Sequence, residues 1–215
     1  MNSRPSFQHQ YDIKILDGVP DNTEKHVPYY YPKRSANGRE ETFKFLVKPL
    51  YAKPWMGVVS SGPYVSCHES TGFYPCPNPR LICIVSGGQA FIIDSEIPAN
   101  WSAVPCTPVL DVKVLLHHQI LLFIDFARIT ALGPEGIIWT TRPLAFKGLK
   151  ITNSDQDTIY GTTLDLNGPV PLVPFEIDVR SGRSKGGCWL FDTLVPTSEA
   201  SRILLSSWFD PATKR

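Results

Sequence analysis

The chain has 215 residues, 42% of them hydrophobic and 19% charged, with 21 basic against 20 acidic side chains and a formal net charge of +1. That much apolar surface can offset the entropy of folding, which excludes disorder of the whole chain, and no stretch concentrates Lys and Arg as a phosphate-binding face requires. The 20 prolines, spread from Pro5 to Pro211, leave few gaps long enough for an extended helix, so helix cannot dominate.

Residues 1–42 are polar, carry the turn signals Asp17-Gly18, Asp21-Asn22 and Asn37-Gly38, and contain one alternating run at 11–15. They are expected to form an N-terminal arm with a single edge strand. Inside it Tyr29, Tyr30 and Tyr31 stand between Pro28 and Pro32, which suits an extended strip packed on the body or, alternatively, an exposed recognition strip.

From Phe43 the pattern changes to short β-branched and aromatic runs separated by Gly, Pro and Asn, so residues 43–192 are expected to form an all-β domain. Three segments share one layout, an apolar run, a short break, a second apolar run and a turn: 81–94, 121–133 and 158–178. A fourth, looser copy covers 58–67 and ends near Gly72. The closing residues Asp94, Gly133 and Asp178 recur at roughly 40 residues, a period typical of packed antiparallel units. Residues 144–152 alternate apolar and basic residues only at their end, so one strand there is expected to have a solvated face. Residues 193–215 form a tail in which Ile203, Leu204 and Trp208 sit at helical spacing before Pro211, predicting one short helix over a sheet edge.

The stretch Ile129-Thr130-Ala131-Leu132-Gly133-Pro134-Glu135-Gly136-Ile137-Ile138-Trp139 is a strand, a tight turn and a strand ending in an aromatic. In this it resembles the blade hairpins of quinoprotein-like β-propellers, over roughly residues 58–187. The resemblance implies a propeller-like fold and carries over no cofactor-binding residue, so no cofactor is expected. A closed propeller has at least four four-stranded blades, and four hairpins supply about half those strands. The hairpins are therefore expected to pack as a β-sandwich or barrel, a small or partial propeller-like fold being the alternative.

The chemical templates fail one by one. Gly182-Arg183-Ser184-Lys185-Gly186 has the letters of a nucleophile elbow, but a strand-like segment follows it and no histidine lies beyond Ser184. Asn153, Asp155 and Asp157 alternate like the first ligands of a calcium loop, yet Thr158 stands where glycine is needed and Leu164 where a glutamate is needed. Cys67, His68, Cys76, Cys106, His117 and His118 show no paired ligand spacing, so no metal is expected. Asp94, Asp125, Glu135 and Asp178 recur at corresponding turns, where an acidic residue ordinarily satisfies backbone N–H groups.

The expected function is a non-enzymatic binding or protein-interaction domain for a protein or small ligand. Its contact aromatics would come from Tyr29, Tyr30, Tyr31, Tyr64, Phe73, Tyr74 and Trp101. One alternative is a hydrolase-type enzyme with a loop-built site drawn from His68, Glu69, His117, His118 and Asp125, which predicts a histidine in a cleft within reach of a carboxylate. The other is a subunit of a larger assembly, marked by an apolar patch or an unpaired sheet edge. The odd count of five cysteines and a start without an apolar signal core suit a reducing cytoplasm. The longest apolar run, 120–124, is far short of the ~20 residues that cross a bilayer, and neither nucleic acid nor membrane is an expected partner.

Overall fold

A computed structural model describes residues 6–16, 28–32, 42–60, 68–146, 148–164 and 172–188. Tyr64, Cys67 and the helix expected near 197–209 lie outside the described residues.

The described chain is all-β, in four sheets of four strands. The first contains β1 (Tyr11–Leu16), β2 (Tyr29–Tyr31), β3 (Thr42–Pro49) and β4 (Trp55–Ser60), in the order β1-β3-β4-β2. The second runs β5 (Gly72–Pro75), β6 (Leu81–Ser86), β7 (Gln89–Asp94), β8 (Trp101–Ala103). The third runs β9 (Asp111–Leu115), β10 (Ile120–Ile124), β11 (Ile129–Gly133), β12 (Gly136–Thr140). The fourth runs β13 (Leu149–Ser154), β14 (Thr158–Leu164), β15 (Leu172–Asp178), β16 (Ser184–Gly186). All neighbours pair antiparallel except β2, which joins β4 in parallel. None of the sheets closes into a barrel, so of the two expected packings it is the sandwich-like one that forms.

The sheets pack face to face in chain order, with an apolar core between each successive pair. Tyr31, Phe45, Val47 and Trp55 of the first sheet meet Ile82, Ile84, Phe91 and Ile93 of the second. On the other side of β6 and β7, Cys83, Val85, Ala90 and Ile92 meet Leu121, Phe123 and Leu132 of the third sheet. From the third sheet's far face, Ile120, Leu122, Ile124 and Trp139 meet Ile159, Phe175 and Ile177 of the fourth. This explains why β6 and β10 are unbroken apolar runs, since both faces of an interior strand are buried. By contrast β15 alternates, burying Phe175 and Ile177 while Pro174 and Glu176 face out, because the fourth sheet has a core on one side only among the described residues.

The segments 81–94, 121–133 and 158–178 occupy the two central strands of the second, third and fourth sheets. An added strand on each edge raises every pair to four, which the apolar pattern alone did not count. Those edge strands are short or solvated: β8 and β16 have three residues each, and β9 buries none fully. The segment read as an arm supplies β1 and β2, and Phe7, Tyr11 and Tyr31 within it are core residues.

Candidate functional site

Four aspartates mark the hairpin and strand ends, and each is engaged by its own turn. Asp94 Oδ1 accepts the amides of Glu96 and Ile97 at 2.9 and 3.1 Å, while its Oδ2 meets Arg80 at 2.7 Å. Asp125 Oδ1 accepts the amides of Ala127 and Arg128, both at 2.6 Å. Asp155 Oδ1 accepts those of Asp157 and Thr158 at 3.0 and 2.8 Å, and its Oδ2 takes the hydroxyl of Tyr160 at 2.9 Å. Asp178 Oδ1 accepts both the amide and the hydroxyl of Ser181 at 2.7 and 2.6 Å. An aspartate that bonds main-chain amides just ahead of it sets a tight turn and is held in the orientation that the turn requires.

Asp155 shows the electrostatic consequence. The Asp157 amide, the Tyr160 hydroxyl and the Thr158 amide, in that order, hold its carboxyl below the ordinary range. The calcium-like spacing of Asn153, Asp155 and Asp157 is thus a hairpin turn, and Asp157 faces Arg180 at 3.6 Å.

Three depressions hold residues nominated from the sequence; the smallest, about 280 Å³, is lined by Trp101 beside Asp94 and Glu135, and the other two hold the nominated histidines and Glu69. The first, about 820 Å³, lies between the 3₁₀ turn Leu116–His118 and the β13–β14 and β15–β16 turns, and is lined by His117, His118, Asp155, Gln156 and Arg180 among others. A turn does follow β9, so the two histidines share one mouth. His118 Nε2 donates to the carbonyl oxygen of Asp155 at 2.8 Å, which fixes the Nε2–H tautomer of the neutral ring and leaves Nδ1 as its acceptor. The histidine thus meets the main chain of Asp155, while that residue's carboxylate accepts three bonds from its own hairpin.

The second depression, about 1000 Å³, is a groove between β5 and β9, lined by Glu69, Phe73, Tyr74, Pro75 and residues 110–114. Glu69 rides on the 3₁₀ turn His68–Ser70, where the Tyr74 hydroxyl donates to the Ser70 carbonyl at 2.9 Å. His68 opens that turn, and its side chain is outside the described set. Across the groove Lys113 pairs with Asp111 at 2.9 Å.

The other nominated aromatics that are described gather at the core between the first and second sheets. Tyr31 is 1% exposed, donates to the Pro98 carbonyl at 2.7 Å and stacks on Phe45, so it is a core residue that offers no contact surface. Tyr29 is 40% exposed and packs edge-on against Trp55, Tyr30 is half-buried beside it, and Trp101 is wedged between Tyr31 and Phe91. Of the nominated aromatics that are described, Phe73 and Tyr74 line the groove, but the Phe73 ring packs edge-on against Phe45 towards the first sheet, so Tyr74 supplies the ring on the third-sheet side. Sequence reasoning missed Asp111, Val112, Lys113 and Val114 as its other wall, although the alternation of β9 and its position before a turn were visible.

Ser184 lies in the short strand β16 and accepts a bond from Arg142 at 3.3 Å, with no elbow around it. Gly182 has φ +69°, and a side chain there would collide with the Trp139 ring, so that glycine serves packing. Cys76, Cys83, Cys106 and Cys188 are free thiols. Burial pushes Cys76 and Cys83 up, and burial followed by the Asp125 charge pushes Cys106 up to about 12, so these three are inert at neutral pH. Among the described residues no group of three His, Cys, Asp or Glu side chains converges as a metal site, and no helix is long and apolar enough to cross a membrane. No protein-family model matches the chain, and no curated protein is detectably similar to it.

Proposed function

We propose that this chain is a non-enzymatic interaction module that receives a partner in the groove between β5 and β9. The contrast between the two larger depressions carries the reading. In the histidine cleft His118 meets a main-chain carbonyl while the nearby Asp155 carboxylate accepts three bonds from its own hairpin, and Asp125 sets the turn of another hairpin. The groove instead presents the Tyr74 side chain, an aromatic that gives large contact area at small entropy cost, beside an edge strand of the third sheet. The shared placement of 81–94, 121–133 and 158–178 at sheet centres supports reading them as internal repeats of one scaffold. The four free thiols support a reducing, cytoplasmic setting.

A photo-crosslinking side chain placed at Lys113, against one at Lys185 on the fourth sheet, tests this in cells. Adducts to one discrete partner from position 113 and none from 185 are the expected result. Adducts from 185 alone, or turnover of ester or amide substrates by the purified chain that disappears in His118→Ala, would replace the interaction reading with a different one.

A further inference from the structure

The edge of β9 narrows what the groove can take, an inference that rests on the interaction reading above. β9 hydrogen-bonds to β10 on one side and is the last strand of its sheet on the other. The amide of Val112 bonds the neighbouring Asp111 Oδ1 at 2.8 Å in place of a ladder carbonyl. The main chain at Val112 therefore points away from β10, and by the two-residue alternation of an antiparallel pair so does that at Val114. No main-chain group of the described residues meets Val112 or Val114 on that side. The strand is nevertheless firmly seated, because the Val112 and Val114 side chains pack on the core between the second and third sheets. Five residues at about 3.3 Å each make an edge about 17 Å long that carries no further strand among the described residues, with the His68–Ser70 turn beside its start, where the Ser70 hydroxyl donates to the Val109 carbonyl at 2.8 Å.

The charge around the edge is as informative. Lys113 is neutralised by Asp111 at 2.9 Å, whereas Glu69 on the facing rim has no ion pair among the described residues. Among the described residues the charge of the groove without an ion pair is thus this carboxylate, beside Tyr74 and the valines of β9.

We infer that the groove takes an extended peptide segment of a partner protein, which adds beside β9 as a fifth strand of the third sheet, sets an apolar side chain against Tyr74, and places a Lys or Arg at Glu69. Main-chain bonds to Val112 and Val114 supply the attachment, with the carboxylate of Asp111 giving up the Val112 amide to a carbonyl of the incoming strand. The basic residue fixes the register.

The test uses the full chain and a fluorescein-labelled ten-residue peptide that alternates Val and Thr around a single central Lys. Its comparators carry Glu in place of Lys, or N-methyl groups on alternate amides in either phase. Saturable binding of the Lys peptide is expected, weakened roughly tenfold by Lys to Glu, with that order inverted by Glu69→Lys. One N-methylation phase abolishes binding and the other spares it, and the bound peptide slows hydrogen exchange at the Val114 amide. Absence of binding, equal binding of both methylated peptides, or an order unchanged in Glu69→Lys would overturn the inference. If crosslinking from position 113 survives such a failure, the groove still binds a partner, through a folded surface instead of a strand; if crosslinking fails too, both readings fall together.

Discussion

Trp139 in β12 donates its indole N–H to the carbonyl oxygen of Val179 at 2.8 Å, reaching from the third sheet to the fourth. Trp55 in β4 does the same to Ser95 at 2.6 Å, from the first sheet to the second. Each acceptor directly follows a turn aspartate, Asp178 or Asp94, so the carboxylate shapes the turn and the indole latches the neighbouring sheet onto it.

Trp139→Phe keeps most of the apolar volume but leaves the buried Val179 carbonyl without its donor, and is expected to destabilise the fold by about 1–3 kcal/mol. Trp55→Phe should cost a similar amount, and the pair should add nearly independently because the two latches join different sheets. Urea unfolding midpoints measure both; a double variant no less stable than either single would show that the latches share one cooperative contact.

Gly161 lies opposite Phe175 in the β14–β15 ladder, and a Cβ on it would collide with the Phe175 ring and crowd the Lys150 carbonyl. Gly57 lies under Phe45 in the same way in the first sheet. Gly161→Ala is expected to cost about 1–3 kcal/mol through displacement of the ring, while Thr162→Ala on the outward face should stay within about 0.5 kcal/mol. A Gly161→Ala chain with the parent midpoint would mean that the ring has room to move aside.

The lowered carboxyl of Asp155 has a definite pH signature. Its charged form is preferred in the folded chain, so its contribution is complete above the ordinary carboxylate value of 3.8 and is lost as pH falls through the lower folded value. Tyr160→Phe removes one donor and should raise the Asp155 midpoint, with Ser181→Ala acting in the same direction on Asp178, whose largest stabilising bond is from the Ser181 hydroxyl. Carbonyl-carbon NMR titration reads each site. An Asp155 midpoint unmoved by Tyr160→Phe would assign its shift to the turn amides alone.

Thiol accessibility is expected to divide sharply. Cys188 is half-buried, whereas Cys76, Cys83 and Cys106 are buried with raised thiols, so site-resolved alkylation at pH 8 should label Cys188 about tenfold faster or more. Comparable rates at Cys106 would indicate that the core between the second and third sheets opens readily.

The central hairpins were legible because β6, β10 and β14 carry their strand character in their own side chains, whether as unbroken apolar runs or as alternation. The edge strands were legible in part: the runs at 11–15, 137–139 and 144–152 read as strands and correspond to β1, β12 and β13, whereas others were not. The three tyrosines of β2 and the short β8 and β16 owe their place to a neighbour's backbone more than to a pattern of their own. Asp94 and Asp178 declared themselves as turn residues by recurrence, and the failure of the calcium template at Thr158 pointed correctly to a turn. The groove was half visible: Glu69, Phe73 and Tyr74 were nominated, but the wall made by β9 depends on which side of a strand is left open, a property of sheet order that no local spacing encodes. Tyr31 shows the converse, an apparent contact residue drawn inward by a carbonyl 67 positions away.

Because every sheet is completed by one uninterrupted stretch of chain and leans on the sheets before and after it, the molecule is close to a linear array in its energetics. Loss of one interface would then be felt as a local loosening passed to the adjacent sheet, and mechanical extension from the two ends should release the chain in sheet-sized steps instead of a single rupture.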